Sequence, residues 1–276
     1  MWRQYTYTIL CSLCLLLVGC DYIPEDERLI YDPVILSEPN PNDNSEGEKP
    51  EQTKHIVLLE DFTGQRCLNC PTATEIIKQL QQACGDAFVS VAIHGGEQAI
   101  FSTAKVTGLR TEMGDEYFNF WNLKYKPVGL INRHGAVDCD KWATVVKEEL
   151  SKPAPLRLDG FAVLTDNIIT IQINAEGIDG SVTGKLQVWL LEDGIKALQL
   201  MPDGTANQEY IHNHVFRTAV NGTWGEDISV KEGEIVERIM KQTLEPNWNP
   251  EQLSIVAFVY NDDGVQQAVK FRVKTP

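Results

Sequence analysis

The first half of the chain combines two apolar runs with one helical repeat. Residues 54–62 read KHIVLLEDF, a nearly continuous apolar run that is typical of a buried parallel strand. The next stretch, PTATEIIKQLQQACGDA, has Ile76, Ile77, Leu80 and Ala83 at helical spacing and ends near a glycine. AFVSVAIHGG then predicts a second buried strand. This order predicts a right-handed βαβ unit.

The pattern changes near residues 151–155, which read SKPAP. Beyond them, short runs such as LRLDGFAVL, NIITIQINA and LSIVAFVYN alternate with turn signals such as EDG, PDG and NDDG. About seven strands in about 120 residues indicate an immunoglobulin-like β-sandwich. We therefore predict one domain over residues 54–153 and a second over residues 154–276.

The N-terminus predicts export. An apolar run of about ten residues follows Arg3 and is too short to span a bilayer comfortably, which favours a secretory signal over residues 1–19. The signal ends in LVGC, which resembles a bacterial lipobox. The resemblance implies that Cys20 is acylated and anchors the protein to a membrane. Cys11 and Cys14 would then be removed with the signal, which excludes a four-cysteine zinc site that includes them.

Charge excludes one class of partner. The formal net charge is −15, and much of the acidic excess lies in residues 20–53, which are rich in Pro, Asn, Glu and Ser. This composition predicts a solvated tether between the anchor and the first domain. Because nucleic-acid binding needs a basic surface, so acidic a chain argues against nucleic acid as a partner.

The motif GQRCLNCP offers redox chemistry. Cys67 and Cys70 lie between the first predicted strand and its helix, where sheet proteins of this kind place ligands. A helix N-terminus lowers a thiol pKa, and two-residue spacing lets one sulfur resolve a mixed disulfide formed by the other. Exposure of Cys67, with Cys70 more buried, would favour catalysis. The alternative is a structural disulfide, whereas a metal would need more ligands than this pair supplies.

A resemblance supports the redox interpretation. DFTGQRCLNCP resembles the active-site segment of thioredoxins, and KPVGLINRHG resembles their cis-proline segment. The resemblance implies that Asp61 moves the proton of the second cysteine and that a cis peptide before Pro127 shapes a substrate groove. It also implies a thioredoxin-like fold over residues 54–153. For the whole chain we predict an α/β thioredoxin-like domain followed by an all-β immunoglobulin-like sandwich.

The cysteine segment departs from the thioredoxin pattern, because an arginine and a Leu-Asn pair stand where thioredoxins have tryptophan and Gly-Pro. The form CLNCP is similar to the dithiol of the thioredoxin-like domain in bacterial peroxide-reductase flavoproteins. Substrate and redox direction therefore do not carry over. We expect Arg66, Asn69 and Lys126 to line the groove. His94, at the same sheet edge as the cysteines, would modulate the thiol or simply be a hydrogen-bonded strand end.

Other candidate residues have plainer interpretations. The aromatic residues of TEMGDEYFNFWNLKY favour a packed helix, and Cys84 and Cys139 either pair with one another or stay free thiols. In EYIHNHVFR, His212 and His214 share one strand face, which suits either a metal or a polar contact surface. No third ligand is fixed by spacing, so we predict no metal and no cofactor.

Several segments together resemble one family. LLEDFTGQRCLNCP, CDYIPEDER, VWLLEDGI, YIHNHVFR and WGE resemble the Omp28-related outer-membrane lipoproteins. This implies location in the outer membrane, facing the periplasm or the cell surface, and little about activity. Our leading hypothesis is thiol–disulfide exchange on exported proteins. The alternative is a non-catalytic binding or adhesion lipoprotein, with a structural disulfide and the β-sandwich as its interaction module.

Overall fold

The computed structural model describes residues 53–275. The predicted signal, the acylated Cys20 and almost all of the predicted tether lie outside the described residues.

Fourteen strands and three α-helices make up the described part of the chain. The strands are β1 Val57–Thr63, β2 Phe88–His94, β3 Val128–Ile131, β4 Ala136–Asp138, β5 Leu156–Thr165, β6 Ile168–Gly177, β7 Val182–Glu192, β8 Ile195–Leu200, β9 Ala206–His212, β10 Val215–Ala219, β11 Glu226–Val230, β12 Ile235–Thr243, β13 Leu253–Asn261 and β14 Gly264–Lys274. The helices are α1 Cys70–Cys84, α2 Glu112–Phe120 and α3 Trp142–Leu150.

The predicted βαβ unit is present at the start of the described chain. Strands β1 and β2 pair in parallel, and α1 connects them. Helix α1 buries Ala73, Ile77 and Leu80 on one face, as its helical spacing predicts. It ends at Gly85, whose φ of 55° suits a residue without a Cβ. Strand β3 pairs antiparallel with the other side of β1, so β1 is buried along its whole length.

The predicted fold class is wrong. The described chain is mostly strand and builds one mixed sheet of twelve strands, in the order β12-β6-β5-β14-β13-β7-β10-β2-β1-β3-β4, with β11 beside β7. The decisive junction is β10 against β2, where the Ala92 amide donates to the His214 carbonyl at 2.8 Å. The sheet therefore does not split into an α/β thioredoxin-like domain and a separate immunoglobulin-like sandwich.

The hydrophobic core gives the physical reason for this correction. Phe62 and Ile93 of the first half share one buried cluster with Trp189, Phe216 and Phe258 of the second half. Because β2 is almost entirely buried, an unpaired edge would leave backbone N–H and C=O groups without partners, and β10, more than a hundred residues further along the chain, pairs with part of that edge. Whether residues 54–153 and 154–276 fold separately stays a prediction.

A second core lies entirely in the second half. Strands β5 and β6 contribute inward side chains to the same cluster as β7, β11 and β13. Helix α2, which lies within the segment TEMGDEYFNFWNLKY, packs Tyr117 against Trp189 with ring centroids 5.4 Å apart, whereas Phe120 is 62% exposed. The predicted aromatic helix is therefore only partly core.

Strands β8 and β9 form a separate two-stranded hairpin outside the large sheet. Its first strand ends at Leu200, whose amide donates to the carbonyl of Gln65 at 2.8 Å. The hairpin therefore lies against the loop that joins β1 to α1, which is the loop that carries the cysteine pair.

Candidate functional site

Cys67 and Cys70 form a disulfide, with their Cα atoms 5.4 Å apart. Cys67 lies in the loop after β1, and Cys70 is the first residue of α1. The two residues are only 1% and 2% exposed. The exposed Cys67 that would have favoured catalysis is thus not observed, and any large substrate needs this region to open.

The loop is held by unusually close backbone packing. A Cβ on Gly64 would lie 2.7 Å from the Gln98 carbonyl oxygen, so only glycine fits there. The amide of Arg66 donates to the same Gln98 carbonyl at 2.8 Å, and the amide of Cys67 donates to the Gly64 carbonyl at 2.9 Å. Backbone contacts alone therefore fix the geometry of the disulfide loop.

Two buried glutamines connect this loop to the hairpin. Gln65 donates through Nε2 to the carbonyls of Thr107 and Leu198, and its Oε1 accepts from the Leu109 amide at 2.9 Å. Gln199, on β8, donates through Nε2 to the Cys67 carbonyl at 2.9 Å. The hairpin thus closes over the disulfide through polar contacts to its backbone.

A cavity of about 280 Å³ lies beside the disulfide. Cys70 lines it and Cys67 does not. Its other walls come from α1, from β1 and β2, and from β9 with the turn that follows; the lining includes Asp61, Thr74, Lys78, Ser90, His94 and His212. The cavity is therefore an approach to the cysteine pair from the side of Cys70.

Three titratable groups of the cavity, Asp61, His94 and His212, are buried, and burial shifts each of them towards its neutral form. Burial raises the pKa of Asp61 to about 7. Burial lowers the pKa of His212 to about 4, and burial together with the neighbouring His212 lowers the pKa of His94 well below its usual value. The two imidazoles meet edge to face, with centroids 5.6 Å apart. Near pH 7 His94 and His212 are therefore neutral and the Asp61 carboxyl group is close to its midpoint, while the cation of Lys78, in the same lining, is paired with Glu75 at 2.6 Å.

The remaining predicted groove residues lie around this centre. Arg66 and Asn69 are exposed beside the buried cysteines, and the Lys126–Pro127 peptide bond is cis. The Lys126 ammonium lies 4.2 Å from the centroid of the Phe118 ring, and burial lowers the pKa of Lys126 to about 8. The structure thus brings Asp61, Cys70 and His94 into one cavity, while Arg66 and Asn69 face solvent.

A family model described as "Outer membrane protein Omp28" matches residues 114–276, which is more than half of the chain. The chain belongs to the Omp28 family. This confirms the family that the sequence segments resembled, and it makes this Omp28 protein an outer membrane protein. Among the described residues, no helix is long and apolar enough to cross a membrane.

Two solved structures with TM-scores above 0.5 share the fold of this Omp28 protein. HBP35 of Porphyromonas gingivalis is 14% identical, with a TM-score of 0.63 over 81% of this chain and 77% of that one. A protein of Agrobacterium tumefaciens is also 14% identical, with a TM-score of 0.51 over 81% and 97%. A domain of the Omp28 lipoprotein from Porphyromonas gingivalis is 27% identical over 44% and 90%, with a TM-score of 0.33. No curated protein matches the chain.

The two histidines of the H-x-H pattern both lie at the cavity. His212 and His214 line it, and His214 also contacts Asp193 and Lys270. Within residues 53–275, no group of three or more His, Cys, Asp or Glu side chains is placed to hold a metal ion. Cys84 and Cys139 are half-buried, and neither forms a disulfide in the described part of the chain.

The site also contains residues that lie far from the cysteines along the chain and that the sequence did not indicate. Gln65 and Gln199 carry no motif, and their amides become important only because the hairpin lies on the disulfide loop. Ser90 lies among the apolar residues of the buried strand β2, and nothing in that strand marks it as a site residue. The one available signal was the H-x-H pattern, which marked His212 without indicating that its neighbour is His94.

Proposed function

We propose that this Omp28 protein is a lipid-anchored thiol–disulfide exchange protein that acts on exported proteins, with Cys67–Cys70 as its redox centre. The observation that carries the proposal is the position of the pair: a disulfide at the start of a fifteen-residue helix, beside the buried carboxyl group of Asp61. A helix N-terminus stabilises a thiolate, and a carboxyl group titrating near pH 7 can exchange a proton with it. Cys20 would be the anchor and residues 20–53 the tether.

Each site residue has a role in this proposal. Cys67 is the attacking thiolate towards protein substrates, Cys70 is the resolving thiol, and Asp61 accepts or returns the proton. Pro127 and Lys126 shape the approach, together with the exposed side chains of the loop, Arg66 and Asn69. His94 keeps the site near Cys70 polar without adding charge, because its pKa is lowered.

The burial of Cys67 adds one requirement. Because Gln199 of the hairpin donates to the Cys67 carbonyl, protein substrates reach the sulfur only when the β8–β9 hairpin moves away from the loop. The hairpin belongs to its own small sheet, so this movement leaves the ladder of the large sheet intact.

Disulfide transfer to a reduced peptide tests the proposal. The oxidised full chain in detergent is mixed with a fluorescent peptide that contains two cysteines, and peptide oxidation is followed over time. We expect stoichiometric transfer that is faster than transfer from the same concentration of glutathione disulfide. A double variant with Cys67→Ser and Cys70→Ser is the matched control. A wild-type rate no higher than that of this control would contradict the proposal.

One observation favours a second candidate, a non-catalytic binding protein with a structural disulfide. A wide depression of about 780 Å³ shares no lining residue with the cavity beside Cys70 and has Phe120, Trp121, Trp224 and Tyr260 in its lining. The rings of Phe120 and Trp224 are 4.2 Å apart between centroids, and Phe120 is 62% exposed. Exposed aromatic clusters of this kind mark interaction surfaces. If transfer is absent and Phe120→Ser abolishes a cellular phenotype that Cys67→Ser leaves intact, this second function is favoured.

A further inference from the structure

Four residues that line the cavity beside Cys70 each have a buried polar atom without a partner in the described part of the chain. The atoms are Oδ1 of Asp61, Oγ of Ser90, Nδ1 of His94 and Nε2 of His212, and none of them has a hydrogen-bond partner among residues 53–275. The four residues are between 2% and 6% exposed. Buried polar atoms are nearly always paired, so these four offer hydrogen-bonding capacity that ordered water or a polar ligand group can satisfy.

The chemistry of these atoms favours a donor-rich ligand group. Asp61 offers a carboxylate oxygen when it ionises, and the two imidazoles are neutral near pH 7. The backbone carbonyls of Ala197 and Leu198 face the His212 ring, which leaves its Nε2 free to accept a hydrogen bond. A primary ammonium group has three N–H donors and no acceptor. It therefore matches a site that has a carboxylate and two imidazole acceptors.

The disulfide determines what the other end of such a ligand would meet. Cys70 lines the same cavity, while Cys67 lies behind the hairpin contact made by Gln199. A molecule whose ammonium group lies between Asp61 and the histidines would have its other end near Cys70. The volume of about 280 Å³ restricts this molecule to a small one.

We propose that this cavity binds a small aminothiol and brings its thiolate to the disulfide at Cys70. The inference rests on the proposed function, and it names the low-molecular-weight redox partner of the same centre. Protein substrates would still approach Cys67 from the hairpin side, so the two faces of the disulfide serve two different partners.

The exchange balances without any further reagent. The aminothiol thiolate attacks Sγ of Cys70, the Cys67–Cys70 bond breaks, and Cys67 leaves as a thiolate with the electron pair. A second aminothiol thiolate attacks the small-molecule sulfur of the mixed disulfide and releases Cys70 as a thiolate. Two aminothiols become one small disulfide, the protein disulfide gains two electrons, and the two thiol protons end on the two protein cysteines.

Three thiols of similar size test the inference in the full chain in detergent. Cysteamine has an ammonium group, 2-mercaptoethanol a hydroxyl group and 3-mercaptopropionate a carboxylate. Each rate of reduction of Cys67–Cys70 is expressed per thiolate and corrected for thiol pKa, because nucleophilicity falls with pKa. We expect cysteamine to react about tenfold faster than the other two thiols, as a buried charged hydrogen bond would give.

Variants assign this preference to the cavity. Asp61→Asn and His212→Gln should each reduce the preference for cysteamine, while Asp227→Asn, which changes a carboxylate whose side chain is 90% exposed, should keep it. If Asp61→Asn fails to fold, His212→Gln carries the test from the hairpin side. Equal corrected rates for the three thiols, or a preference that survives in the folded cavity variants, would overturn the inference.

The failure of the proposed function has a different signature. If peptide oxidation by Cys67–Cys70 proceeds normally while the three thiols react alike, only the aminothiol site is wrong. If none of the thiols reduces the disulfide and peptide oxidation is also absent, the redox function itself fails and the aminothiol site fails with it.

Discussion

Gln199→Ala tests whether the hairpin controls access to the disulfide. The substitution removes the 2.9 Å hydrogen bond to the Cys67 carbonyl and a longer contact of 3.5 Å to the Gly64 carbonyl. Two contacts between hairpin and loop remain: the Leu200 backbone amide donates to the Gln65 carbonyl, and Nε2 of the Gln65 side chain donates to the Leu198 carbonyl. The variant therefore weakens the closed state without removing the hairpin.

The size of the effect follows from the hydrogen bonds that are lost. One net hydrogen bond contributes about 0.5–1.5 kcal/mol, and a poorly satisfied buried carbonyl adds to the loss, so closure should weaken by about 1–2 kcal/mol. If the hairpin opens and recloses faster than the disulfide reacts, the rate follows the open population. A change of this size corresponds to a rate increase of about 5- to 30-fold.

The assay is the reduction of Cys67–Cys70 by a dithiol peptide that is too large for the 280 Å³ cavity. Gln208→Ala is the matched control, because it removes the same side chain from an exposed position of the same hairpin. The control should react like the wild type. An unchanged rate for Gln199→Ala, with the fold intact, would refute the idea that the hairpin gates the disulfide.

Three further predictions concern stability. Burial raises the pKa of Asp61 from 3.8 to about 7, so the stability that the protonated carboxyl group contributes is fully present below about pH 4 and is lost as pH rises through 7. Asp61→Asn should therefore be more stable than the wild type at pH 8, by up to about 4 kcal/mol, and urea unfolding at pH 4 and pH 8 measures the difference. The pKa of His212 is lowered to about 4, so stability is lost as pH falls from 6.5 to 4; His212→Gln should reduce this loss, whereas the exposed His134→Gln should not. Trp189→Ala should cost about 3–5 kcal/mol and shift one common unfolding transition; two separate transitions would contradict a shared core.

Local features of the fold could be predicted from the sequence. The spacing of Ile77 and Leu80 indicated α1, and the apolar runs indicated β1 and β2, because burial on one helix face or on both sheet faces leaves a direct pattern. The family could be recognised from short sequence segments, and the family model confirms it over residues 114–276.

The overall architecture could not be predicted, because strand partners at long range leave no local pattern. Val215 pairs beside Ala92 across more than a hundred residues, and nothing in either strand specifies the other. The same limit applies to the candidate site. Asp61 and Cys70 are close in sequence and were found together, whereas Gln199 and His212 reach the disulfide only through the fold of the hairpin.

The reduction potential of Cys67–Cys70 tests the central claim most directly. The full chain is equilibrated in detergent against glutathione and dithiothreitol buffers, and the oxidised fraction is read by thiol labelling followed by mass spectrometry. Our account predicts a potential between about −120 and −270 mV, the range of working oxidoreductases. A potential below about −300 mV would identify a structural disulfide and contradict the account.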